Sequence, residues 1–145
     1  MTSLAHTAIA AAAQSQTAEP FTRGAVGGVR TTLKIEAAAI LTASLVAYGR
    51  TEFGWLWFAV LFLAPDLSML GYFAGRRIGA VCYNLAHSYA TPLLLGGIGI
   101  AAHVPAALPL MLIWTAHIAF DRLLGYGLKY ATAFGDTHLG RVGKA

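Results

Sequence analysis

A chain of 145 residues with 57% hydrophobic and only 11% charged residues cannot cover a folded surface with polar groups, because soluble domains carry roughly 25% charged residues. With a mean hydropathy of +0.63, a water-soluble globule is excluded and the lipid bilayer is the expected solvent and first partner. The net charge of +4 comes from basic residues scattered between apolar runs, which excludes a nucleic-acid-binding stripe, and the single cysteine, Cys82, excludes an intrachain disulfide.

Residues 1–30 read as an Ala-rich N-terminal tail. They lack the basic start and Leu-rich stretch of a cleavable signal, and Gln14, Ser15, Gln16, Glu19 and Pro20 interrupt them. Residues 31–145 read as an all-α polytopic membrane domain with four spans. The first runs from about Leu33 to Tyr48 and the second from about Phe53 to Phe73, with Pro65-Asp66 inside it. The third runs from about Ile78 to Ile100 and the fourth from about Pro105 to Leu124. Each approaches the roughly 20 apolar residues a membrane helix needs, the first being short. Gly49, Gly75, Gly79, Pro105 and Gly125 punctuate the joints. With four spans, Arg23, Arg30, Lys34, Arg76, Arg77, Arg122, Lys129, Arg141 and Lys144 share one side, and Arg50 alone lies on the other. The positive-inside rule then makes both termini cytoplasmic and the cell inner (plasma) membrane the expected location. Trp55 and Trp57 fall at the outer interface, where amphipathic rings are favoured.

Polar residues inside apolar helices cost free energy and turn towards one another. On helices rising about 1.5 Å per residue, Asp66, Asn84, His87 and His117 lie roughly 9–14 Å from the cytoplasmic ends of their spans, and Glu36 and Asp121 roughly 5 Å. The polar groups of all four helices therefore gather in the inner half of the bilayer. His117 and Asp121 stand at i, i+4, and Asn84 and His87 at i, i+3, so each pair shares a helix face. Pro65 frees a backbone carbonyl one turn before Asp66. Two His and two Asp at one depth suit a divalent metal (Zn, Mn or Fe) held by Asp66, His87, His117 and Asp121, and a Cys-free set argues against Cu(I). The competing expectation is interhelical hydrogen bonding without chemistry.

After the fourth span, Tyr126, Tyr130 and Phe134 recur every four residues, which suits a segment lying along the membrane surface. His138 follows, where it would cap the site as an additional ligand or as a general base, with Glu36 the other candidate for proton handling; the competing expectation for this stretch is a solvated tail.

The stretches Phe62–Tyr72, Tyr83–His87, Ile113–Arg122, Gly125–Tyr130 and Asp136–Gly140 closely resemble those of a small bacterial integral membrane family catalogued as domain of unknown function 4260. The resemblance covers about Leu33 to Gly143 and implies a small integral membrane protein; it implies no activity. A weaker similarity is to inner-membrane proteins described as metal-dependent hydrolases, which pair a Pro-Asp motif with His and Asp on other helices. Ser68 and Met69 stand where those proteins often carry a further histidine. Three functions follow as expectations. One is a membrane-embedded metal-dependent hydrolase acting on an amphiphilic or lipid-linked substrate. The second is a small carrier or proton relay, and the third a non-catalytic membrane subunit or assembly factor.

Overall fold

In a computed structural model the described residues are 24–142. They fold into five α-helices, a 3-10 helix and a two-stranded hairpin. Most of the tail expected over residues 1–30 lies outside the described residues; its last residues, from Gly27, already form the first turn of α1 (Gly27–Tyr48).

Helix α2 (Trp55–Phe62) runs into a 3-10 helix over Ala64–Ala74. The change of winding falls at Pro65, which lacks an amide hydrogen and whose ring crowds the preceding turn. Eleven residues is long for a 3-10 helix, a form that seldom persists beyond 3–4 residues and often marks a functional stretch. Gly75, at φ 111°, reverses the chain into α3 (Arg76–Ala86), which packs back along the 3-10 helix. Close approach is possible because Gly79 lies under the Tyr72 ring and Gly71 against Cys82.

The third apolar segment is not one continuous helix. It breaks between α3 and α4 (Ala90–Ala101) at His87-Ser88-Tyr89. Pro92 explains the break. It has no N–H for the Ser88 carbonyl, and its ring would clash with that carbonyl in a continuous helix. Instead the Ser88 hydroxyl accepts from the Ala90 amide at 3.3 Å, and the amide of His87 ends α3 on the Tyr83 carbonyl at 2.8 Å.

Helix α5 (Ala107–Leu124) is central. It packs along α1 through small buried residues, Ala37 and Ser44 on α1 and Ala116 and Ala119 on α5, and against α4 and α2 on its other sides. On α4, Gly96 faces Met111 and Gly99 faces Ala107. Gly125 ends α5 in the left-handed region, and the Arg30 and Lys34 side chains of α1 reach this carboxyl end, where cations are favoured by the helix dipole.

The outside of the bundle is as apolar as its inside: Leu56, Leu94, Ile98 and Phe73 are 66–92% exposed. Gly27–Tyr48, Trp55–Ala74 and Ala107–Leu124 are long and apolar enough to cross a membrane. The chain is an all-α membrane protein whose solvent is hydrocarbon, which removes any penalty for those exposed side chains.

Beyond α5 the chain forms a loop and a short antiparallel hairpin, β1 (Asp136–Thr137) with β2 (Gly140–Arg141). The four-residue spacing of Tyr126, Tyr130 and Phe134 is therefore not helical, although all three rings are exposed. The loop is fastened to the bundle by side chains of α3, described next.

Candidate metal centre

Four side chains from three elements meet beside the break in the third segment. Asp66 comes from the first turn of the 3-10 helix, His87 from the carboxyl end of α3, and His117 and Asp121 from adjacent turns of α5. One donor atom from each lies within 4.8 Å of the other three. His87 Nε2 is 3.4 Å from Asp66 Oδ1 and 3.5 Å from Asp121 Oδ2; His117 Nε2 is 3.6 Å and 3.8 Å from the same two atoms. The two Nε2 atoms are 3.2 Å apart.

These separations discriminate between the expected chemistries. Hydrogen bonds of N–H to oxygen run at 2.7–3.2 Å, and every His–Asp separation here exceeds that. A tetrahedral ion with ligand bonds of about 2.0–2.2 Å has ligand–ligand edges of about 3.3–3.6 Å. The five separations, 3.2–3.8 Å, bracket that edge. The donor set, two imidazoles and two carboxylates, suits Zn, Mn or Fe, so this group could hold a metal ion.

The surroundings prepare His87 for such a role. Its Nδ1 lies 2.9 Å from the Tyr83 carbonyl. A carbonyl only accepts, so Nδ1 carries the hydrogen and Nε2 presents its lone pair to the cluster. The Tyr83 ring stacks on His87 at 3.7 Å and 9°, and the Tyr83 hydroxyl donates to Asp121 Oδ2 at 3.2 Å. Tyr83 thus orients two members at once, as outer partners of metal ligands do. His117 has no such partner; its Nδ1 is buried and unpaired. Packing holds that ring instead, with the edge of Phe62 against it at 5.2 Å and 72°. His87 and His117 are buried, Asp121 is 17% exposed and Asp66 35%. Asp66 is thus the member through which the cluster meets its surroundings.

Asn84 does not join the cluster. Its side-chain amide donates to the Lys129 carbonyl at 2.9 Å, and its carbonyl accepts the Lys129 amide at 2.7 Å. This pair fixes the C-terminal loop beneath α3 and buries Lys129. The Lys129 ammonium donates to the Phe134 carbonyl at 3.0 Å and lies over the rings of Phe134 and Tyr83, at 3.5 Å and 4.7 Å from their centroids. Burial pushes the ammonium below the usual lysine range, against the pull of the Asp121 and Asp66 carboxylates. By its place in the sequence Lys129 counts among the orienting charges; its neighbours Tyr126, Tyr130 and Phe134 are the signal of this second role, since a cation among aromatic rings gains from their faces.

Glu36 and His138 are not members of the cluster. Both line a small separate cavity with Tyr89 and Arg122. Glu36 is exposed there. The His138 Nδ1 accepts from the Leu128 amide at 2.8 Å, its own amide donates to the Leu128 carbonyl at 3.0 Å, and its carbonyl accepts from Ala25 at 2.7 Å. His138 therefore ties the loop both to itself and to the residues preceding α1. Burial, and then the nearby Arg122 guanidinium, hold its imidazole below the usual histidine range. Its stabilising contribution is complete above the ordinary value of 6.5 and is lost as pH falls through the lower folded-state value. Limited proteolysis should therefore release the segment after Gly125 faster on acidification below about pH 6, and His138→Gln should flatten that dependence.

Residues 30–142 match the family described as domain of unknown function (DUF4260). The chain belongs to this family. The match spans the 3-10 helix, α3 and α5, the elements that build the cluster. No curated protein and no solved structure gave a match.

Proposed function

We propose that this DUF4260 protein is a membrane-embedded, metal-dependent hydrolase, with Asp66, His87, His117 and Asp121 as the ligands of one divalent ion. The observation that carries this reading is the set of 3.2–3.8 Å separations among four converging donors. The four His–Asp separations are too long for hydrogen bonds, and five of the six separations fit the edges of a coordination tetrahedron. A divalent ion supplies Lewis acidity and a water made nucleophilic near neutral pH. The chain's own groups do the rest. Tyr83 fixes the tautomer of His87 and the orientation of Asp121. Lys129 places a buried positive charge behind the Tyr83 ring, suited to an anionic group. The half-exposed Asp66 offers the side of approach.

In the accompanying topology the chain passes the inner membrane four times, the third pass broken at His87–Tyr89, with both termini cytoplasmic. The asymmetry of Lys and Arg supports this orientation. A broken helix at membrane depth is tolerated where it borders protein or a cavity, which is the setting of His87. A carrier is less well supported, because the large cavity beside the cluster is lined by apolar residues apart from Ser68 and offers a polar solute no continuing path.

Elemental analysis of natively extracted, purified protein tests the proposal. About one equivalent of zinc, manganese or iron per chain is expected, falling to background in His117→Ala. Intact, folded protein without metal that also takes none up on titration would end the reading.

A further inference from the structure

A cavity of about 590 Å³ lies between α2, the 3-10 helix, α4 and α5. Its volume is that of pockets which enclose a whole small ligand. One end borders the cluster through sequence neighbours of the proposed ligands: Pro65 precedes Asp66, Ala86 precedes His87, and Trp114 lies one helical turn before His117. The other end is reached at Val104 and Ala107, beyond the close contact of Gly99 with Ala107. From Ala107 to Trp114 the cavity follows α5 for seven residues, which is about 10 Å of helix. One polar side chain lines it. The Ser68 hydroxyl, two residues from Asp66, is buried without a hydrogen-bond partner. A buried hydroxyl left unpaired costs free energy that a ligand's acceptor would recover. The Trp114 indole, by contrast, is committed to the Ala86 carbonyl at 2.6 Å.

We infer that this cavity is the chain-binding subsite of the proposed centre: it takes the hydrocarbon chain of a single-chain amphiphile, whose polar head lies at the Asp/His cluster and accepts the Ser68 hydroxyl. The inference rests on the reading of the cluster as a metal-dependent hydrolase. An apolar slot that carries one unpaired hydroxyl and runs beside the cluster suits an amphiphile and no compact polar molecule. Ordinary bilayer tails would fill the slot without using its polar end, and a second copy of the chain would cover it without needing the depth.

Trp114 serves as the reporter in a Trp55→Phe, Trp57→Phe background, where it is the single tryptophan. The probes are chain-brominated fatty acids of eight, twelve and sixteen carbons, added to purified protein in detergent, with metal content measured on every sample. The expected result is saturable quenching of Trp114. Val104→Phe, at the far end, should weaken the sixteen-carbon probe several-fold and leave the eight-carbon probe unchanged. Ala64→Phe, beside the cluster, should weaken all three. Both variants should keep their metal, so loss of metal without loss of chain binding would strike the hydrolase reading and not the subsite. Ser68→Ala should lower affinity for the acids more than for the corresponding brominated alkanes. Quenching that rises linearly with probe and is the same in all variants would mean bulk lipid fills the slot. Absence of quenching together with a dimer cross-linked across this face would mean a second copy covers it. Either result overturns the inference.

Discussion

His87→Ala and His117→Ala are each expected to lower zinc affinity by more than the roughly 10–100-fold lost when an outer partner of a metal ligand is removed. Each removes one of four donors whose separations match a single coordination sphere. Tyr83→Phe belongs to the milder class. It deletes the 3.2 Å hydrogen bond to Asp121 but keeps the carbonyl that fixes His87 and the ring that stacks on it. A loss of about 10-fold is expected there. His103→Ala is the control, since His103 sits exposed in the turn between α4 and α5. Competition with a calibrated chelator measures all four proteins. The ranking also separates metal binding from interhelical hydrogen bonding. In the latter case Tyr83→Phe would cost stability about as much as His117→Ala, and no variant would change metal content. Apparent stability should track occupancy, because an ion bound only by the folded state stabilises it by mass action.

The members of this cluster were legible in the sequence for a physical reason. Hydrocarbon admits few polar side chains, so each one in an apolar run carries information, and helical rise converts its position into depth. His117 and Asp121 needed only the i, i+4 spacing. Asp66 and His87 needed the assumption that polar groups on different helices seek one another. The local winding was harder to see. Pro65 announced an irregularity, but not that it would lie near the start of eleven residues of 3-10 helix. Pro92 was one signal for the break after His87, and the polar dip over residues 83–92 between two apolar runs was another. That break leaves His87 at a helix end, where its Nδ1 reaches the Tyr83 carbonyl. Asn84 misled for the opposite reason. Its spacing to His87 placed it on the polar face, but its partner is the backbone of a residue 45 positions away. No periodicity encodes a pairing of that kind, and none would have placed His138 and Glu36 at a different cavity from the cluster.

That long-range pairing carries the second large effect. Asn84→Ala is expected to free the C-terminal loop from α3. Both atoms of the Asn84 amide are used, and the peptide groups they satisfy belong to a residue that is 7% exposed. Truncation leaves a buried amide and a buried carbonyl without partners, at about 1–3 kcal/mol for each such group. The consequence should be local before it is global. Hydrogen exchange at Leu128 and Lys129 should accelerate by one to several orders of magnitude, because each 1.4 kcal/mol corresponds to about tenfold, while the middle of α5 keeps its protection. Asn84→Asp refines the test. It retains an acceptor for the Lys129 amide and loses the donor to the Lys129 carbonyl, so its exchange should fall between wild type and Asn84→Ala. Lys129→Met addresses the ammonium separately. A methionine stem still packs on Tyr83 and Phe134, the backbone clasp is untouched, and the loop should stay in place. If Asn84→Ala left exchange at Lys129 unchanged while Lys129→Met released the loop, the fastening would lie in the cation over its two rings and not in the amide pair. The clasp also bears on the His/Asp cluster, because Asn84 and Tyr83 are adjacent on α3 and Tyr83 orients both His87 and Asp121. Asn84→Ala is therefore expected to weaken zinc binding modestly, by less than Tyr83→Phe, with the deficit appearing in parallel with the exposure of Lys129.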